Sequence, residues 1–138
     1  MVVDGETVGA IGRGVLLLVG VEKGDTQAEV DVLVGKLVRL RIFPGRTPMD
    51  RSLADIEGAC LVVSQFTLAG TLRKGNRPGF DRAEDPARAT PLYEAVAAGL
   101  RAAGLRVETG RFGAMMDVEL VNEGPVTFVL DARDGKLC

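Results

Sequence analysis

Three segments carry polar groups where a core would be better served by apolar ones. Ser64-Gln65-Phe66-Thr67 follows directly on Leu61-Val62-Val63 and brings two hydroxyls and an amide to the end of an apolar run. Such a row suits a ligand site at a strand end, and it equally suits a strand leaving the core to meet water. Arg73-Lys74-Gly75-Asn76-Arg77-Pro78 gathers three positive charges within five residues. That suits phosphate contact, although a charge run also serves as a solvated face. In Asn122-Glu123-Gly124-Pro125, Gly124 leaves its backbone open to close approach, and Pro125 can take a cis bond that aims the neighbouring carbonyls. The same dipeptide is also an ordinary turn.

The sequence has no histidine, which removes Ser-His-Asp and Cys-His catalysis and imidazole metal ligands. Neither Ser64 nor Thr67 therefore has a partner to activate it, and Lys74 is a poor base unless burial lowers its pKa strongly. Cys60 sits in an apolar run and reads as a small buried hydrophobe. The carboxylates form no metal-ligand pattern, so no metal and no cofactor are expected. Phe66, Phe80, Phe112 and Phe128 have no spacing for base stacking and read as core.

The elements that must position these groups follow from periodicity. Asp4-Gly5 predicts a tight hairpin between Val2-Val3 and a return strand over 6–11. Val15 to Val21 reads as a central strand, and Arg41-Ile42-Phe43 as a short one before a loop over 44–58. Thr26-Gln27-Ala28-Glu29 fits a capping box ahead of a helix with an apolar stripe at Val30, Leu33, Val34, Leu37 and Leu40. Ala59 to Phe66 is the second apolar strand, followed by an exposed loop to Asp85 with the basic residues Arg73, Lys74, Arg77 and Arg82. Asp85-Pro86 caps a second helix whose buried face is marked by Leu92, Val96, Leu100 and Ala103 and which ends at Gly104. Strands are expected over 105–109, 116–121 and 126–130. The pattern predicts an α+β domain over residues 1–138, layered β/β/α with mixed sheets and two main helices, and not a doubly wound one. A Rossmann site is excluded because the Gly12-Arg13-Gly14 turn joins strand to strand.

At 138 residues, with 46% apolar and 26% charged positions, the chain can bury a core, which excludes a disordered tail. Its formal charge of −2 means that any polyanion must be met by a local basic patch. Two cysteines make no disulfide framework, and no signal or membrane-spanning segment is present, so a cytoplasmic protein with no membrane partner is expected.

Four segments, SQFTL at 64–68, RKGNRPGF at 73–80, GRFGAMM at 110–116 and NEGPVT at 122–127, resemble the D-aminoacyl-tRNA deacylase family in order and spacing. The resemblance runs from Val2 to about Asp131. It implies a homodimeric hydrolase that cleaves the ester joining a D-amino acid, or glycine, to the terminal ribose of tRNA, with no DNA partner. It further implies a site shared between subunits, with Ser64, Gln65, Phe66 and Thr67 as one wall. Thr67 matches a threonine once taken as nucleophile, and the Phe66 N–H matches a main-chain donor that acts with the substrate's own 2′-hydroxyl. Gly124-Pro125, held cis, would enter the partner's pocket and leave no room for an L side chain. The contacts assigned to Arg73, Lys74 and Arg77 are tRNA phosphates.

Two departures stand out. Family members usually begin with one more strand, roughly ten residues by ordinary strand length, which carries an arginine that steadies the Gly-Pro loop. Against that pattern this sequence starts at the hairpin, so the resemblance implies either a start site assigned too late or a less rigid pocket. Ala69-Gly70-Thr71-Leu72 replaces the aromatic and acidic residues that often follow SQFTL. A non-catalytic tRNA-binding protein that kept the fold is the alternative, and a metabolite-binding dimer would leave the basic cluster unexplained.

Overall fold

The computed structural model describes residues 1–123 and 126–138. Two strands form an N-terminal antiparallel hairpin, β1 (Val2–Val3) and β2 (Glu6–Thr7). Asp4 and Gly5 between them both have positive φ, 49° and 78°, the geometry of a two-residue turn that matches strand twist. The return strand is shorter than the sequence predicts, ending at Thr7.

The centre is a three-stranded sheet of β3 (Gly14–Val19), β4 (Ala59–Ser64) and β5 (Arg106–Thr109), all parallel, with β4 in the middle. Helix α1 (Gln27–Leu37) connects the first two strands, and α2 (Pro86–Ala102) the last two. Both helices pack against one face of the sheet. There Cys60, Val62 and Val107 meet Val30, Tyr93, Val96, Ala97 and Leu100 in the main core. The opposite face, Leu61 and Val63, is covered by Met1, Val8, Ile11, Met116 and Val118. Strand alternation sends β4 residues to both layers, and because both lie under cover, β4 is a near-continuous apolar run. Helices on one face only make this the layered α+β arrangement and not a doubly wound one. A last antiparallel hairpin, β6 (Ala132–Arg133) and β7 (Lys136–Leu137), turns at Asp134-Gly135, again with both residues at positive φ.

Helix α1 starts as its sequence demands. The Thr26 hydroxyl accepts from Ala28 N at 3.2 Å while Glu29 Oε2 accepts from Thr26 N at 3.0 Å. Asp85 is the N-cap of α2, but its side chain makes no capping bond, and the entry rests on Pro86 in the first turn. The buried face of α2 is Ala89, Tyr93, Val96, Ala97 and Leu100. Leu92 is only half-buried, and Ala103, the C-cap of the helix, is exposed.

Other expectations need correction. Residues 41–43 form no strand; Phe43 makes a single bridge to Arg51 across a tight loop, because Pro44 ends any extension. Residues 116–121 and 126–130 enter no ladder apart from the bridge between Val2 and Asp117. Their β-forming residues lack an adjacent strand edge among the described residues, and Val121 and Val129 are largely exposed. Phe66, Phe80 and Phe128 are not core residues but exposed ones, while Cys60 is fully buried, which pushes its thiol pKa up to about 11.

Candidate active site

The sheet ends at Ser64. Gln65 N donates to Val19 O at 2.7 Å, the last bond tying this strand to β3, and the chain then coils into a short 3₁₀ turn over Phe66–Ala69. The turn's first internal donor is Leu68 N, to Gln65 O at 3.2 Å. The N–H groups of Phe66 and Thr67 precede that ladder, so the turn cannot satisfy them itself. They stand just beyond the carboxyl end of the central parallel strand, where open α/β sheets commonly bind ligands.

Two aromatic rings flank this turn. Phe66, 58% exposed, meets Phe80 edge to face with ring centroids 5.1 Å apart. Gly70 makes that approach possible, since a Cβ there would lie 2.8 Å from Thr67 O and 3.1 Å from the Phe80 ring. An exposed apolar pair beside backbone donors that have no partner among the described residues offers a surface for a flat ring and a polar group at once. Between the rings in sequence, Thr71 and Gly79 exchange hydrogen bonds of 2.7 and 2.9 Å, closing a hairpin-like loop that carries Arg73, Lys74 and Arg77 at its exposed end.

Within the 64–67 wall, Gln65 Nε2 donates to Thr67 Oγ1. The threonine oxygen is thus held by a group that can give a proton but not take one. Ser64 is half-buried as the last residue of β4, opposite Val19.

The segment 110–116 reaches the same sheet end. Gly110 N donates to Val62 O at 3.2 Å, and the buried Tyr93 hydroxyl donates to that same carbonyl at 2.8 Å. The Phe112 ring lies 5.8 Å from the Tyr93 ring. Tyr93 thereby ties α2 to the strand that ends in Ser64 and to the loop after β5. Nothing local in the sequence marks it, because a tyrosine on an apolar helix stripe looks like any core residue until its hydroxyl's partner is known. Burial raises its pKa, which keeps the hydroxyl protonated as a donor.

The structure therefore brings together the segments at 64–68, 73–80 and 110–116. Gly124 and Pro125 lie outside the described residues, and the flanking Asn122 donates through Nδ2 to Thr127 Oγ1 at 3.2 Å. Separate from this site, a hollow of about 510 Å³ opens between the starts of α1 and α2, lined by Asp25, Thr26, Glu84 and Arg88 among others.

The chain is similar to several known proteins. A D-aminoacyl-tRNA deacylase of Halalkalibacterium halodurans is 51% identical over 132 residues, covering 95% of this chain and 90% of its own length. One from Anaeromyxobacter dehalogenans is 55% identical, with 95% and 89% covered. A solved structure described as c-Myc DNA Unwinding Element Binding Protein superposes with a TM-score of 0.83 at 38% identity, covering 91% of this chain and 86% of that one. A second, described as a probable eukaryotic D-amino acid tRNA deacylase, shares the fold with a TM-score of 0.71 at 22% identity, 83% of each chain being covered. The family model for D-Tyr-tRNA(Tyr) deacylase matches residues 1–131, a span that contains the strand end, the aromatic pair and the basic loop, and to that family this chain belongs.

Proposed function

We propose that this chain hydrolyses the ester between a D-amino acid, or glycine, and the terminal ribose of tRNA, removing wrongly charged residues before translation uses them. The observation that carries the reading is the turn after Ser64, with the backbone donors of Phe66 and Thr67 free of the turn's own bonds. An aminoacyl ester is already activated, so a protein without histidine has enough to do in positioning it and stabilising the developing oxyanion. One such donor is worth roughly 3 kcal/mol elsewhere. In the overall step water adds across the ester, its oxygen bonds to the acyl carbon, and the ribose oxygen leaves with a proton. The products are the free amino acid and tRNA.

In this reading Ser64, Gln65, Phe66 and Thr67 form the catalytic wall, the Phe66–Phe80 pair receives the 3′ end, and Arg73, Lys74 and Arg77 hold phosphates. Residues 1–138 act as one deacylase-like domain in the cytoplasm, with RNA and not DNA as partner. Gly124-Pro125 of each subunit serves chirality in the partner's pocket. Homodimerisation is supported by the exposed apolar side chains of Leu120, Val121, Phe128 and Val129, at 59%, 91%, 55% and 84% exposure on either side of that dipeptide.

Incubation of the purified protein with D-Tyr-tRNA, L-Tyr-tRNA and Gly-tRNA tests the proposal. The D-aminoacyl and glycyl esters should be cleaved and the L ester spared. Survival of all three, with tRNA still bound, would instead establish a binding protein without catalysis.

A further inference from the structure

At the opposite end of the sheet from the candidate site, residues 36–51 carry Lys36, Arg39, Arg41, Arg46 and Arg51 against the single carboxylate of Asp50, in a chain whose formal charge is −2. The fold concentrates much of this charge in one place. Arg51 pairs with Phe43 through backbone bonds, and the Arg13 guanidinium lies 5.5 Å over the Phe43 ring. Asp50 pins the loop together, accepting from Arg41 at 2.7 Å and from Arg46 N at 2.8 Å. The other carboxylate close to the loop, Asp55, accepts from Ser52 N at 2.9 Å and also lies within the fields of Arg51 and Arg41, so it offsets part of the cluster's charge. Arg13, Arg46 and Arg51 are exposed and make no salt bridge among the described residues.

Surface charges of a soluble protein are ordinarily interspersed in sign, and like charges gathered on a fixed loop repel one another. Here they are arginines, whose planar fork matches phosphate oxygens in pairs. The loop is fixed by its own hydrogen bonds before anything binds, which lowers the cost of ordering it.

We propose that this cluster is a second tRNA contact, holding backbone phosphates of the tRNA body away from the 3′ end. The proposal rests on the deacylase reading above. Strand β4 separates the cluster, beside Ala59, from the site beyond Ser64, a length of about 20 Å at the usual rise per residue. A single terminal nucleotide cannot touch both. The cluster therefore meets a part of the polyanion that the 73–77 loop does not.

Binding of deacylated full-length tRNA, measured across a salt series, tests it. The double variant Arg46→Gln/Arg51→Gln should bind about tenfold more weakly at moderate salt. The slope of log affinity against log salt should fall by about 0.9 for each duplex phosphate no longer neutralised. A comparison variant, Arg88→Gln/Lys136→Gln, removes the same net charge at exposed positions elsewhere and should leave the slope unchanged. Equal slopes for the cluster variant and the parent would overturn the proposal. So would equal weakening in both variants, which would show net charge and not the cluster to be responsible. If the parent itself fails to bind tRNA with any salt dependence, the tRNA reading falls and the second phosphate site with it.

Discussion

Thr67 has a hydroxyl at the centre of the candidate site, yet its oxygen accepts a hydrogen bond from Gln65 Nε2, and the sequence has no histidine to deprotonate it. Thr67→Ala should keep D-aminoacyl-tRNA hydrolysis within a few-fold of the parent, against the roughly 10²–10³ typically forfeited with an oxyanion donor. Single-turnover deacylation checks this, and a dead variant would return the hydroxyl to the role of nucleophile. The polar wall itself is legible in sequence, because Ser64 and Gln65 interrupt an otherwise apolar strand. Phe66 and Phe80 are not, since phenylalanine defaults to core and only the close approach over Gly70 shows the two rings meeting outside it. Tyr93 is hidden for another reason: its acceptor lies 31 positions away in the chain.

Among the elements, α1 depends on a reciprocal cap whose two halves can be removed separately. Thr26→Ala should cost about 1 kcal/mol in denaturant unfolding. Glu29 is held below its ordinary pKa of 4.5, first by the Thr26 hydroxyl and then by the Thr26 N–H. A group depressed in the folded state contributes stability above its unfolded value and loses it as pH falls through the folded one. The Glu29→Gln variant should therefore be less stable than the parent at about pH 6 to 7 and converge on it below about pH 4, as thermal melts over that range would show. Capping is readable because Thr-x-x-Glu is a local code. The Asp134-Gly135 hairpin carries the same local signal as Asp4-Gly5, but with only two residues in each strand it offers no apolar run to announce it. The segments 116–121 and 126–130 mark the boundary of such reasoning: residues state a preference for extended chain, but a strand also needs an edge to pair with, and no residue encodes that locally.

For the whole molecule, Met115, Leu120, Val121, Phe128 and Val129 are exposed apolar side chains close together in sequence, a composition that suits an interface. Light scattering at micromolar concentration should give twice the 14.6 kDa chain mass, and Val121→Asp/Val129→Asp should shift it toward the single mass. A parent that is monomeric and still active would remove the shared-site reading. The layered class is legible from the order of strands and helices. The all-parallel centre is not, because which strand lies beside which is set by packing across the two helices.

That parallel centre also governs how the chain is made. Each ladder joins residues some 45 positions apart, Gly14 with Ala59 and Ala59 with Arg106, so little of the sheet can form from neighbours in sequence, and high contact order slows folding. During synthesis β3 and β4 leave the ribosome well before β5. At about 5–20 residues per second, the stretch that separates Ser64 from Thr109 takes roughly 2–9 s to appear. For that interval the most buried strand of the protein has a bare edge, vulnerable to pairing with another nascent chain, and its helix-side face is covered first by α1 alone, with α2 arriving after it.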